Sequence, residues 1–296
     1  MSGNRAFARC EQSNGIKNMS KVWFVTGAGS GIGAGAAKAA LRGGDRVIAT
    51  GRNLHKLRGA LGDGTDENLA FVQLDVADES QAKSAVEQAV QRFGRIDVLV
   101  NNAGYSLLGN FEELTIADFE RQFATNFWGV AHVMRAVLPV MRRQRSGHII
   151  NISSVAGVVG QKHCSAYGAT KFAVEGLSLA TAQEVGQFGI KVTVVEPGFF
   201  LTDLLAASNV RYAESTIADY APEGTAEAMW SPYDGRQTGS PDKLGDALVE
   251  LTRMANPPQV FVGGSDGLAM VTPAIEARLK DMRNHEALSR STDINA

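Results

Sequence analysis

Tyr167 and Lys171 stand four residues apart in "SAYGATK", with only small residues between them. On an α-helix, residues four apart share one face a turn apart, so a phenol and an ammonium at this spacing can reach one cavity. A phenol with its ordinary pKa of about 10 is a poor acid–base catalyst at neutral pH. A neighbouring ammonium favours the phenolate and moves the group toward a useful range. The spacing alone decides nothing, because Tyr-x-x-x-Lys is also an ordinary pair on a helix face. Company decides it, namely a polar partner for the same reacting oxygen and a phosphate-binding turn upstream.

That turn is "VTGAGSGIGAG", which follows an apolar run and opens the helical stretch "AGAAKAALRGG". Glycines there let the backbone turn sharply and approach a pyrophosphate, whose charge sits on free N–H groups at the positive end of the helix. A G-x-G-x-x-G spacing fits only loosely, through Gly29, Gly31 and Ala34. The form TGxxxGxG, with Thr26, Gly27, Gly31 and Gly33, fits better.

Both features need a scaffold. Seven short apolar runs read as strands: "KVWFVT", "RVIAT", "LAFVQLD", "IDVLVN", "HIINIS", "IKVTVVE" and "QVFVGG". Helical periodicity lies between most of them, as in Ala82, Val86, Ala89 and Val90, or Phe123, Phe127, Val130, Met134 and Val137. Strands alternating with helices predict an α/β fold, a doubly wound, mostly parallel seven-stranded sheet with helices on both faces. The near-continuous apolar runs suit strands buried on both sides.

At this point the sequence resembles the short-chain dehydrogenase/reductase family, in its short single-domain branch with a Rossmann-like sheet. The resemblance covers residues 22–203 and implies hydride transfer between a nicotinamide and a carbonyl or secondary alcohol. Ser154 in "NISS" stands 13 positions before Tyr167, the family's separation. The resemblance makes Tyr167 the acid–base group, Ser154 the residue that holds the reacting oxygen, and Lys171 the residue that lowers the tyrosine pKa and holds the nicotinamide ribose. Ser153, one step earlier, should point to the opposite side of an extended chain. Asn126 in "RQFATNFWGV" matches the family asparagine that supports a water chain to the lysine. A purely structural hydrogen bond is its competing reading, since an amide amid Phe123, Phe127 and Val130 is costly to bury unpaired.

For the cofactor, the family pattern assigns the phosphate turn to Gly27, Gly29, Ser30, Gly31, Ile32 and Gly33. Asp75 and Val76, at the end of the third strand, cap the adenine; Asn102, Ala103 and Gly104 of "NNAG" pass its ribose. Pro197, Gly198 and Phe200 of "EPGFFLTDL" line the nicotinamide, and Thr202 contacts its carboxamide or a phosphate. The second strand ends "VIATGRN", with Gly51 where an NAD-binding chain usually has an acid and Arg52 next to it. A guanidinium pairs with a 2′-phosphate in a bidentate manner, so NADP(H) is expected over NAD(H).

Tyr105 and Phe199, with Ser154 and Tyr167, are expected to line the substrate site. The long stretch at 204–241 carries Tyr212, Tyr220, Met229, Trp230 and Tyr233 and reads as a lid or binding loop. Such a wall suits a small, largely apolar ketone, aldehyde or hydroxysteroid-like molecule. Competing classes are an epimerase or dehydratase of the family's extended branch and a non-catalytic NADP-binding sensor. The NNAG motif and modest length oppose the first, and the intact Ser, Tyr and Lys oppose the second.

Composition excludes other classes. The 296 residues are 44% hydrophobic, and 29 basic against 31 acidic side chains give a net charge of −2, no footprint for nucleic acid or an anionic membrane. Two cysteines, Cys10 and Cys164, argue against a disulfide framework and fit a reducing, cytoplasmic setting, with Cys164 a bystander. There is no apolar run of about eighteen residues to span a membrane and no Cys/His pair with metal-ligand spacing. His163 reads as a surface-loop residue. Residues 1–19 lack the apolar centre of a secretory signal and read as a disordered extension, with Met19 as an alternative start. Residues 20–280 are expected to form one Rossmann-type domain and 281–296 a polar tail after a charged helix. A homodimer or homotetramer is expected, since family members commonly pair through the helices carrying Asn126 and Tyr167.

Overall fold

All seven apolar runs enter one parallel sheet. The computed structural model describes residues 20–63 and 66–294; the extension expected at 1–19 lies outside them. The strands are β1 (Val22–Thr26), β2 (Arg46–Gly51), β3 (Leu69–Gln73), β4 (Val98–Asn101), β6 (Gly147–Ile152), β7 (Ile190–Pro197) and β9 (Val260–Gly263). Their spatial order is β3-β2-β1-β4-β6-β7-β9. The two short strands β5 (Leu107–Leu108) and β8 (Arg211–Tyr212) pair separately.

The strand residues alternate between two cores, as a period of two requires. Phe24, Ile48, Leu99 and Ile149 face α3 (Glu79–Phe93) and α5 (Gly129–Gln144), which bring Ala82, Val86, Ala89, Val133, Met134 and Val137. Trp23, Val25, Val47, Val98, Val100 and Ile150 face α1 (Gly31–Arg42) and α8 (Pro241–Arg253), which bring Ala36, Ala37, Ala40, Leu244 and Leu248. Burial on both faces is why these strands read as unbroken apolar runs.

Helices α1 and α8 meet backbone to backbone. A methyl group on Gly245 would lie 2.3 Å from the Gly35 carbonyl oxygen, and one on Gly35 equally close to the Pro241 carbonyl oxygen. Gly245→Ala is therefore expected to force the helices apart and cost about 1–3 kcal/mol in chemical denaturation; an unchanged midpoint would show that the helices can part freely.

His148 in β6 is buried, and its Nε2 lies 2.9 Å from Thr193 Oγ1. The Thr193 hydroxyl spends its one proton on the Pro258 carbonyl, so Nε2 is the donor. Burial, aided by Lys191 and Lys21, lowers the His148 pKa to about 4. The unfolded chain then binds more protons between pH 6.5 and 4, so the contribution is present above about 6.5 and lost as pH falls through that window. Stability is expected to drop by about 2 kcal/mol between pH 7 and 5 relative to His148→Gln, measured by urea titration. The comparison with the variant matters because the raised Glu175 acid has a slope of opposite sign.

Strand order reverses beside β1, which pairs with both β2 and β4. Ligands in such sheets bind in the crevice at the carboxyl ends of the strands at this switch point. Helix α2 (Leu54–Leu61) follows β2 at that end, and α6 (Ser165–Val185) packs against β7. The stretch at 204–241 is built rather than irregular. It holds β8, a 3-10 turn Ala218–Glu223 and the short helix α7 (Ala226–Trp230). At the far end, α9 (Ser265–Asn284) and α10 (Glu286–Arg290) continue the helix into the stretch expected to be a polar tail. No helix among the described residues is long and apolar enough to cross a membrane.

Candidate active site

The glycine turn between β1 and α1 is shaped for close approach. Gly27 and Gly31 have φ of 65° and 53°, a region that favours glycine, and a methyl on Gly31 would meet Thr202 at 2.9 Å. A methyl on Gly33 would lie 2.5 Å from both Asn102 Nδ2 and the Gly27 carbonyl oxygen, which is how closely α1 sits on the sheet. Asn102 donates from Nδ2 to the Thr26 and Gly27 carbonyls, and Thr26 Oγ1 accepts from the N–H groups of Asn102 and Ala103. These bonds fasten "NNAG" to the glycine turn. Ser30, at the N-cap of α1, makes no side-chain cap, so the first N–H groups of the helix are left for an anion.

One groove runs from this turn to Tyr167. One stretch is lined by Gly27, Gly29, Ser30, Gly31 and Ile32, and the next by Arg52, Asp75, Val76, Asn102, Ala103 and Gly104. Pro197, Gly198, Phe200 and Thr202 close the other side, next to Tyr105, Ser154, Tyr167, Lys171 and Phe199. Of the residues expected from sequence, Gly33 and Asn126 do not line it. Gly33 lies under the turn. Asp75 differs in detail, standing two residues beyond the end of β3.

Asn126 sits in a π-helical turn, Ala124–Trp128, between α4 (Ile116–Phe123) and α5. Such one-turn bulges are frequent at functional sites. Its Oδ1 accepts from the Tyr105 N–H at 3.1 Å, and its Nδ2 donates to the Tyr105 carbonyl at 3.0 Å and to Thr170 Oγ1 at 3.3 Å. The side chain thus ties the segment after β4 to α6, and its recorded bonds do not reach Lys171.

Tyr167 is buried among Leu108, Ala156, Cys164, Leu205, Val210 and Trp230. Burial pushes its hydroxyl up to about 12, against the nearby Ser154 hydroxyl, which favours the phenolate. Lys171 Nζ donates to the Ile152 carbonyl at 2.9 Å and lies 5.6 Å from the Tyr167 ring centre. Burial lowers its pKa to about 8, partly offset by the Glu175 carboxylate. Ser154 accepts from the Ala156 N–H, while the Ser153 hydroxyl turns to the Lys171 carbonyl at 3.3 Å, so the two serines face different partners.

His163 corrects its sequence reading. It is 5% exposed with φ 61°, and neither ring nitrogen has a hydrogen-bond partner among the described residues. Its neighbour Cys164 packs against Tyr167, and burial holds that thiol up at about 12, which keeps it unreactive. Sequence reading also passed over Asn53, Lys56 and Asp203 in the groove. Asn53 caps α2, and Lys56 pairs with Asp203 at 3.0 Å across the rim. The spacing of Arg52 and Lys56 was the available signal; the Asp203 contact, 147 positions away, left none. No cluster of His, Cys, Asp or Glu able to hold a metal occurs among the described residues.

Known proteins resemble this chain in sequence and fold. The family model for short chain dehydrogenases matches residues 21–213. An oxidoreductase from Botryotinia fuckeliana, BOA17, is 38% identical over 87% of this chain and 94% of its own length. The crystal structure of a short-chain dehydrogenase from Streptomyces avermitilis superposes with a TM-score of 0.84 at 36% identity, covering 93% of this chain and 99% of that one. ElxO, solved with NADP bound, superposes at 0.69 with 32% identity, covering 84% and 98%. With a parallel sheet, a glycine turn and a Ser-Tyr-Lys cluster on one groove, the chain belongs to the short-chain dehydrogenase/reductase family of oxidoreductases.

Proposed function

We propose that this oxidoreductase is a carbonyl reductase type enzyme that uses NADPH and interconverts a ketone or aldehyde with its alcohol on a small, largely apolar substrate. The observation that carries the reading is Tyr167 with Ser154 and Lys171 on one groove, the Lys171 Nζ 5.6 Å from the tyrosine ring, and a glycine cradle in that groove which a single methyl would fill. That cradle and the uncapped start of α1 fit a dinucleotide. Gly27 to Gly33 hold its pyrophosphate, Arg52 its 2′-phosphate, Asp75 and Val76 its adenine, and Asn102 to Gly104 its ribose. Lys171, Pro197, Gly198, Phe200 and Thr202 hold the nicotinamide half. The bound cofactor supplies or accepts the hydride.

Ser154 orients the substrate oxygen, and Tyr167 gives it a proton as charge develops there. Lys171 stabilises the phenolate left behind. Burial resists that phenolate, so the ammonium and the serine hydroxyl are needed to bring the tyrosine into range. Asn126 sets the position of Tyr105 and, through Thr170, of the helix carrying both groups.

The substrate end is walled by Tyr105, Leu108, Phe199, Leu205 and Trp230, with the carboxamides Gln161, Asn209 and Gln237. A wall of apolar groups and neutral amides favours an uncharged substrate. Exposed Trp128, Phe172 and Leu179, on the segments carrying Asn126 and Tyr167, support a homodimer or homotetramer. Two cysteines and no membrane-spanning helix among the described residues support a cytoplasmic setting. The test follows nicotinamide absorbance with NADPH and NADH separately against ketones and aldehydes with and without charged groups. Faster turnover with NADH, or a preference for charged substrates, would refute the corresponding part.

A further inference from the structure

One turn beyond Lys171 on α6 stands Glu175, two-sided in its contacts. The Ser153 hydroxyl donates to the Lys171 carbonyl at 3.3 Å and borders the same small space as the Glu175 carboxyl. Gly157, in the 3-10 turn Val155–Gly157 after β6, closes the space. A methyl there would lie 2.6 Å from Ser153 Oγ and 3.2 Å from Glu175 Oε1. Glu196 in β7 is 3% exposed, and its Oε2 and Glu175 Oε1 are buried without partners among the described residues.

The charged groups that act on Glu175 are Lys171 on its own helix and Glu196 on β7; the 3-10 turn packed against α6 brings only Val155, Ala156 and Gly157. Asp266 at the start of α9 is engaged by the Phe199 N–H. Two carboxyl groups behind one ammonium resist ionising together. Burial raises both acids, Glu175 to about 7, and Glu196 raises Glu175 further while Ser153 and Lys171 favour its charge. Lys171 in turn feels Glu175 as its stabilising charge.

We propose that Glu175 is a positioning residue for the Tyr167–Lys171 pair: its carboxylate, confined one turn from Lys171 against Gly157 and Ser153, is the counter-charge of the buried ammonium. The proposal rests on the reading of Tyr167 and Lys171 as the acid–base pair.

Removing the charge leaves the ammonium with the Ile152 carbonyl alone. The ammonium then loses its proton at lower pH, and with it the support for the phenolate formed in reduction. In Glu175→Gln, which keeps shape and a hydrogen-bonding group, the high-pH limb of kcat/KM for ketone reduction is expected to move down by about one pH unit, the low end for the loss of one neighbouring charge. NADPH binding, followed by cofactor fluorescence without substrate, should weaken with pH over the same shifted range. Glu175→Asp keeps the charge and should restore the limb; Glu196→Gln should leave it in place. Ser153→Ala, which removes only a hydroxyl, should move it in the same direction by less and serves if Glu175→Gln does not fold. An active enzyme whose limb is unmoved in both Glu175→Gln and Ser153→Ala, or moved in Glu196→Gln instead, overturns the proposal. Failure of the underlying reading looks different, as Tyr167→Phe would then be as active as the wild type.

Discussion

Tyr167→Phe is expected to lower the rate of carbonyl reduction by roughly 10²–10⁴-fold, the usual scale for one general acid–base group. The substitution removes one oxygen and leaves the ring that packs against Leu108, Cys164 and Trp230. The fold should therefore survive, and melting curves serve as the control. Because the hydroxyl acts as charge develops on the substrate oxygen, the loss should fall on kcat and kcat/KM alike. NADPH affinity should change little, since Lys171 and the glycine turn keep their places. The pH dependence should flatten as well, because the proton donor is gone. Near wild-type turnover at saturating cofactor would remove Tyr167 from the reaction and require another donor in the groove. Cys164 is a poor substitute, being buried and held at about 12.

The sheet was legible because burial on both faces leaves runs such as "IDVLV" and "VTVV" with no polar interruption, a pattern that survives without tertiary information. The groove was legible for a related reason: positive φ at Gly27 and Gly31, and backbone packed within reach of a methyl at Gly27 and Gly33, favour glycine at all three positions. Elements stabilised by distant partners were not. Strand β8 exists because Arg211 and Tyr212 pair with Leu107 and Leu108, about a hundred positions earlier, and two residues carry no periodicity. The π-helical turn at Ala124–Trp128 shifts a hydrogen-bond register, which leaves no compositional trace. His163 read as a surface residue because loops usually are exposed, yet the Gly109 N–H bonds its carbonyl and draws the loop inward. Glu175 was invisible for the opposite reason. An acid on a helix reads as solvated, and only the packing of Gly157 and Ser153 against it shows a confined carboxylate.

Arg52→Ala is expected to weaken NADPH binding roughly ten- to a hundred-fold, the worth of hydrogen bonds to a charged group, while NADH binding changes by about threefold or less. Arg52 follows β2 at the adenine end and is exposed, so its contribution should also shrink as salt rises. Lys56, the neighbouring cation on this rim, is paired with Asp203 at 3.0 Å and is less free to take over. The preceding residue makes the argument sharper. A Cβ at Gly51 would have Leu57 side-chain atoms as its nearest neighbours, the first at 3.5 Å, which is ordinary contact. An acid therefore fits where this chain has none, and Gly51→Asp should offer a carboxylate to a ribose 2′-hydroxyl while repelling a 2′-phosphate. Combined with Arg52→Ala it should invert the ratio of kcat/KM for NADPH over NADH. Two measurements discriminate here, cofactor titration by fluorescence and steady-state rates with each nicotinamide. If the double variant still prefers NADPH, the phosphate is held elsewhere on the rim, and Lys56 released from Asp203 becomes the group to remove next.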